Sequence, residues 1–374
     1  MANEDKAARY HRLRRVVSLA GTALGALLLL LLVVTGGSAT IRDFALALAG
    51  RSLFLTVIAY VVVVALVNEA VQLPLVYYLG FTLERRYGLS LQTARGWWLD
   101  QLKAGGVGLA LAVAGALMVS YFLRWSPEFW WVLAAGCSAT FLVLLAQLAP
   151  VLLLPLFYEF KPLDRPQLTG RLAVLAERAG LRVLGVFEWR LSDRTRKAKA
   201  ALAGIGRTRR ILLSDTLLAG HGDEEIEVIL AHELAHHVHG DIWKAMALEV
   251  LLIALGFYLA DSVLAVSVGH FGLAFKGDVA SLPLLVLAGG AVSLALVPVA
   301  NAVSRAHERS ADRYALEMTR NAGAFVSAMN RLAAQNLAEE RPSRLVELLF
   351  YSHPPMAARI DAARAWEAQA TTGS

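Results

Sequence analysis

The feature that most limits what this chain can fold into is a set of long, uninterrupted apolar runs over residues 16–35, 53–78, 105–123, 130–154, 242–268 and 283–303. Each is close to or above the roughly twenty residues with which a helix crosses a hydrocarbon core about 30 Å thick. Inside lipid only a helix or a closed barrel satisfies every backbone N–H and C=O, and unbroken apolar runs of this length suit helices. The expected fold is therefore mainly α, a polytopic membrane helical bundle of about six spans. With 57% apolar residues in 374, the excess lies in the runs themselves and not at amphipathic spacing. The first run follows Lys6, Arg9, Arg12, Arg14 and Arg15, as a signal peptide would, but its length suits a full span and no persuasive cleavage site follows.

The formal charge of +6 would suit a nucleic-acid partner if the cations clustered within a binding motif. They flank the apolar runs instead, where Lys and Arg anchor spans and set their orientation, so no nucleic acid is expected and membrane lipids are. The amino terminus, the loop from Glu84-Arg85-Arg86 to Lys103, the segment after Leu154 and the carboxyl terminus carry most of the positive charge. The opposite loops hold Arg42 and Arg51, Arg124, and Lys276. This asymmetry predicts a multi-pass protein with its amino terminus and its polar segments in the cytoplasm, and the bacterial-like brevity of the chain makes a bacterial inner membrane the expected residence. The lone Cys137 lies inside an apolar run, which excludes an internal disulfide and a cysteine-based metal site and predicts a packing role.

Four segments follow: a membrane region with four spans at 1–154, a cytoplasmic α+β segment at 155–241, two further spans at 242–303, and a helical segment at 304–374. Within the second, residues 167–179 and 223–238 have helical periodicity, and 184–191 and 210–213 read as strands.

The chemistry concentrates in His232-Glu233-Leu234-Ala235-His236. Residues four apart on a helix share a face, so two imidazoles can bind one zinc while Glu233 reaches a water on the ion. Asp223, Glu224 and Glu225 suit the amino-terminal turn of that helix. His237 and His239 are rival ligands, and a His236/His239 pairing is geometrically open, but it leaves Glu233 without a role. Catalytic zinc takes three protein ligands, and Glu308 is a candidate for the third, with Asp312 one turn later able to hydrogen-bond the far nitrogen of a ligating histidine. The competing reading is an exposed charged helix in which Arg305, Arg309 and Arg313 pair with Glu308 and Asp312; His307 is a weaker ligand candidate.

These residues resemble the integral-membrane zinc metalloproteases that include the type I CAAX prenyl proteases and the bacterial heat-shock membrane proteases. His232 to His236 followed by Gly240-Asp241 is similar to the family's zinc helix. Asn301, Ser304, Arg305, Glu308, Ala311 and Asp312 match its second motif, and His353-Pro354-Pro355 with Arg359 its late motif. Leu73-Pro74-Leu75 leading to Glu84-Arg85-Arg86-Tyr87-Gly88, and Leu154-Pro155-Leu156-Phe157 leading to Pro162-Leu163, favour the prenyl-protease branch. The resemblance implies one zinc ion per chain on His232, His236 and Glu308, support from Asp312, Asn301 and Arg305, and His353 and Arg359 beside the scissile peptide. It also implies a chamber enclosed by the spans and an edge strand at Ala200, Ala201, Leu202 and Ala203 that pairs with substrate, with Lys199 where the family has Asn.

The expected activity is that of a zinc-dependent membrane metalloendopeptidase, with Glu233 as base and His353, supported by Arg359, stabilising the oxyanion. Its substrate is a peptide or protein, lipid-modified or membrane-associated. The alternatives are a membrane quality-control protease without prenyl specificity, a non-catalytic scaffold with a closed four-ligand zinc, and an intramembrane protease, the last disfavoured because residues 223–241 are too polar to span. Asn68, Glu69 and Gln72 interrupt the second apolar run and Asp261 the fifth; such groups are expected to face a cavity or to hydrogen-bond between helices.

Overall fold

The computed structural model describes residues 2–50, 52–152, 154–204 and 209–372. Its membrane part opens with α1 (Ala2–Val34), α2 (Gly37–Ala49) and α3 (Leu53–Tyr77). A π-helical stretch, Tyr78–Leu83, and the short α4 (Glu84–Arg86) follow, then α5 (Ala94–Trp125), α6 (Trp130–Leu152) and α7 (Leu154–Phe157). The polar segment contributes β1 (Phe160–Pro162), α8 (Pro166–Arg178), β2 (Val186–Trp189), β3 (Ala200–Ala203), β4 (Arg210–Ser214), α9 (Asp215–Gly220) and α10 (Asp223–Val238). Two long helices, α11 (Asp241–Ser267) and α12 (Leu282–Thr319), return through the apolar region, and α13 (Ala322–Gln335), α14 (Arg344–Phe350) and α15 (Met356–Thr372) close the chain.

Among the described residues six helices are long and apolar enough to cross a membrane. Their outward faces carry large apolar side chains in the open, Leu27, Leu66, Leu144 and Val266 among them, as lipid rather than water requires. Cys137 belongs to that exposed face, not to a packed interior. A sequence window cannot tell a lipid-facing position from a helix contact when both are apolar, so the expected packing role does not hold.

The loop expected between the first two spans contains the helix α2, and its Arg42 pairs at 2.5 Å with Asp278 of the loop between α11 and α12, on the same side of the spans. Between α1, α3, α5 and α12 lies a cavity of about 860 Å³, lined by Gly21, Gly25, Asn68, Gln72, Gly115 and Gly290 among others. Gln72 both lines it and donates to the carbonyl of Gly21 at 2.9 Å. Glu69 does not line it; it is exposed and, among the described residues, unpaired. Asp261 ties helices together, accepting from Trp130 Nε1 at 2.6 Å and Lys276 Nζ at 2.8 Å.

The four strands run in the order β1-β2-β4-β3, parallel only between β2 and β4. β1, three residues long, and the alanine-rich β3 have too little alternation to stand out in the sequence. One face of the sheet packs on α8 and α10, and α10 in turn on α13, through a core that holds Leu172, Ile211, Leu213, Leu230 and Phe325, all at or near zero exposure. Each such side chain contributes about 1.5–3 kcal/mol by leaving water. That core fixes the roll of α10, and with it the direction of His232 and His236.

α12 is one 38-residue helix that runs from the apolar region into the polar lobe without a break at residues 303–304. It therefore carries Glu308 and Asp312 on the same rigid rod that packs against α11.

Candidate metal centre

α10 is capped by Gly222, whose N–H donates to the Glu225 carboxylate at 2.8 Å, with three acids in the first turn complementing the helix dipole. It ends before Gly240, whose φ of +66° suits glycine and lets the chain turn directly into α11. His232 and His236 lie one turn apart near that end, with ring centroids 4.9 Å apart and planes perpendicular.

Both Nε2 atoms converge on Glu308: His232 is 3.2 Å from Oε2 and His236 3.4 Å from Oε1. The three residues offer donor atoms that all lie within 4.8 Å of one another. Two tetrahedral ligands at about 2.1 Å from one ion are separated by roughly 3.4 Å, so the spacing fits a metal. Glu308 Oε2 has no hydrogen-bond partner although it is buried, because its approach to His232 lies outside hydrogen-bond geometry. A buried carboxylate set between two imidazole nitrogens, with one of its oxygens orphaned, fits a cation and is costly without one.

Each imidazole is braced from behind by its own carboxylate. His232 Nδ1 is 2.9 Å from Asp312 Oδ1, and His236 Nδ1 is 3.1 Å from Asp241 Oδ2. Such contacts fix the tautomer and leave Nε2 free for a metal. Burial alone pushes the His232 pKa down, but the carboxylates of Asp312 and Glu308 beside its two ring nitrogens outweigh it and raise the value to about 9. The pocket thus stabilises positive charge. Burial also pushes the Glu233 carboxyl above its ordinary range, only partly offset by the neighbouring imidazoles.

The rival histidines do not join the cluster. His237 Nε2 turns to the carbonyl of Leu202 at 3.1 Å, His239 Nδ1 to Ser310 Oγ at 3.4 Å, and His307 lies 3.8 Å from Asp241. A closed four-ligand site built from them has no support in this arrangement.

His353 Nε2 stands 3.2 Å from Glu308 Oε1, on the open side of the cluster. Arg359 is not committed to His353: it binds Asp312 twice, Nε to Oδ2 at 2.8 Å and Nη2 to Oδ1 at 2.5 Å. Asn301 and Arg305 reach carbonyls around α14 instead of the histidines, Asn301 Nδ2 to Leu349 at 3.0 Å and Arg305 Nη1 to Tyr351 at 2.6 Å. Both point away from the cluster because α12 presents them to α14, one to two turns before Glu308.

β3 is an edge strand. The carbonyl of Lys199 accepts from Ser214 N, so in antiparallel alternation Ala201 and Ala203 also face β4 while Ala200 and Leu202 turn main-chain groups outward. The Leu202 carbonyl is the one that His237 engages. Lys199, Ala200, His232, Glu233, His353 and Arg359 all line one cleft of about 260 Å³, which shares no lining residue with the cavity between the spans.

Asp241 is the site residue that the sequence reading left without a role. Its signal was the helix break at Gly240, which places position 241 beside the last turn of α10.

Residues 162–367 match the model of peptidase family M48, and residues 2–159 match that of the CAAX prenyl protease N-terminal region with five membrane helices. Four of the six candidate spans and the shorter α2 fall in the second match. The chain is 31% identical to the uncharacterized metalloprotease YhfN of Bacillus subtilis over 95% of its own length and 84% of that protein. It is 27% identical to CAAX prenyl protease 1 of Saccharomyces cerevisiae, over 79% of this chain and 69% of that one. Its fold matches the crystal structure of S. mikatae Ste24p with a TM-score of 0.84 at 24% identity, covering 97% of this chain and 88% of the other.

Proposed function

From the premise that this chain belongs to peptidase family M48 and is an integral-membrane metalloprotease acting on peptide or protein substrates, we propose that it is a zinc endopeptidase with one ion held by His232, His236 and Glu308. The observation that carries this reading is the buried Glu308 carboxylate, one oxygen of it left without a hydrogen bond, set between two imidazoles whose far nitrogens are each braced by a carboxylate. Zinc in such a set supplies an acidified water, with a pKa lowered from 15.7 to about 7, and a Lewis acid for the scissile carbonyl.

The chain's own groups do the rest. Glu233 takes the proton of the attacking water and delivers it to the leaving amine; its burial raises its basicity towards that task. His353, on the open side of the cluster, donates a hydrogen bond to the oxygen that gains charge, a contribution of about 3 kcal/mol for one such donor. Arg359 acts behind the cluster, holding Asp312 and, with its Nη2 3.4 Å from His232 Nδ1, the ring of His232 as well. The substrate lies extended along β3 and bonds the outward main-chain groups of Ala200 and the N–H of Leu202, whose carbonyl His237 holds, which gives affinity without strict sequence demands.

The zinc helix α10 runs straight into the membrane helix α11, so the cleft stands at the membrane boundary. That position favours membrane-associated or lipid-modified substrates. The distribution of Lys and Arg supports a cytoplasmic cleft, and the likeness to a Bacillus subtilis protein over most of both chains supports a bacterial inner membrane. Cleavage of a quenched peptide by the purified protein, compared with Glu233→Gln, tests the reading: the variant should be inactive, and equal rates would remove Glu233 from the mechanism.

A further inference from the structure

The basic stretch at the head of α1 is explained only in part by membrane orientation, because several of its side chains have specific partners far along the chain. We propose that Arg15 is a positioning residue for catalysis, acting through Glu339 and Tyr351 on the loop that carries His353. This inference rests on the reading that His353 takes part in peptide cleavage.

Arg15 Nη1 lies 2.6 Å from Glu339 Oε2, and the same carboxylate oxygen accepts from the Tyr351 hydroxyl at 2.6 Å. Arg15 also approaches that hydroxyl directly, at 3.4 Å. Both charged side chains are largely buried, 18% and 14% exposed, so the pair is poorly screened and geometrically restrained. Burial pushes Glu339 up, yet Arg15 and the Tyr351 hydroxyl outweigh it and hold the carboxyl below its ordinary range.

Tyr351 is thereby pinned at both ends. Its hydroxyl is tied to α1 through Glu339, and its carbonyl is tied to α12 through Arg305 at 2.6 Å. His353 follows two residues later with its side chain 60% exposed, and its ring contacts Ser352 Oγ at 3.0 Å as its local hydrogen bond. With so little to hold the ring itself, the path of the loop decides where its Nε2 stands beside Glu308. His11 Nε2 at 2.9 Å from the Leu337 carbonyl steadies the approach to Glu339 from the same helix. The first membrane helix is in this way part of the frame of the cleft, and a misplacement of about 1 Å at a reacting group costs on the order of a hundredfold in rate.

The test uses the full-length protein in detergent or nanodiscs, with steady-state cleavage of a quenched peptide and metal content measured in parallel. Arg15→Met is expected to lower kcat about tenfold, within that range, while KM and metal content stay near wild type, and Arg15→Lys should restore most of the loss. In a His353→Ala background, Arg15→Met should add less than about a twofold further effect, because residues acting as one unit are not additive. Tyr351→Phe, which removes a single hydroxyl, should repeat the kcat loss and answers the question if loss of Arg15 prevents folding. An unchanged kcat in both variants, or the same tenfold loss persisting in the His353→Ala background, would overturn the proposal. Wild-type rates in His353→Ala alone would instead sink the reading on which it rests.

Discussion

Arg359 grips Asp312 with two hydrogen bonds, and the oxygen that accepts the shorter of them, Oδ1, is also the one 2.9 Å from His232 Nδ1. The side chains are 6% and 9% exposed. A guanidinium from α15 thus sets the orientation of a carboxylate on α12, which in turn sets the ring of a histidine on α10, and three separate helices meet in one chain of contacts.

Arg359→Met should therefore damage the site while leaving all three proposed metal ligands in the chain. Removing one partner of a buried pair costs about 3–5 kcal/mol, and loss of an outer contact to a ligating histidine weakens metal binding roughly 10–100-fold. Competition with a chelator and a thermal unfolding curve should both shift; an unchanged zinc affinity would show that Asp312 holds His232 without help.

Asp241→Asn isolates the other brace. It keeps the shape beside His236 and removes the charge, so zinc affinity should fall by roughly tenfold, at the mild end of the range for such contacts, with little change in overall stability. Chelator titration reads this directly, and a variant that holds zinc as tightly as wild type would leave Asp241 as a helix-start residue only.

Ala200→Pro probes the edge of β3. The N–H that proline removes faces outward, so the ladder to β4 survives, as for prolines tolerated on the open side of edge strands. KM for an extended peptide should rise about tenfold, the equivalent of roughly one lost main-chain hydrogen bond of 1–1.5 kcal/mol, with kcat nearly retained. A kcat loss at constant KM would contradict pairing at this edge.

Acid stability should report Asp215. Burial pushes its carboxyl up, but the Ser192 hydroxyl and the N–H groups of Leu191, Ser192 and Thr216 outweigh it and hold it below the ordinary carboxylate range. A depressed carboxyl stabilises the fold above its unfolded pKa, and that contribution disappears as the pH drops through the folded value. Asp215→Asn should accordingly flatten the acid limb of a stability-against-pH curve below about pH 4, measured by denaturant unfolding in detergent. An acid limb identical to wild type would mean that the Ser192 contacts do not persist in solution.

The site was legible in the sequence where its geometry is local. His232, Glu233 and His236 are read from a spacing of four on one helix, and Glu308 and Asp312 likewise, because the period of 3.6 is intrinsic to the backbone. What joins residues far apart was not legible: Arg359 with Asp312 is a contact across 47 positions, and Arg15 with Glu339 one across 324. Sequence spacing carries no information on which of several arginines packs against which carboxylate; the family resemblance places Arg359 with His353, and in the structure its side chain binds Asp312. In the fold, the spans were legible from length and apolarity, whereas α2, β1 and β3 are too short or too uniform to be read from periodicity.

The most direct test is zinc content per chain, by mass spectrometry of the metal in wild type, Glu308→Ala and Glu233→Gln purified under the same conditions. One zinc per chain is predicted in wild type and in the inactive Glu233→Gln, and a large loss in Glu308→Ala. A full complement of zinc in Glu308→Ala would contradict the three-residue site on which the mechanism is built.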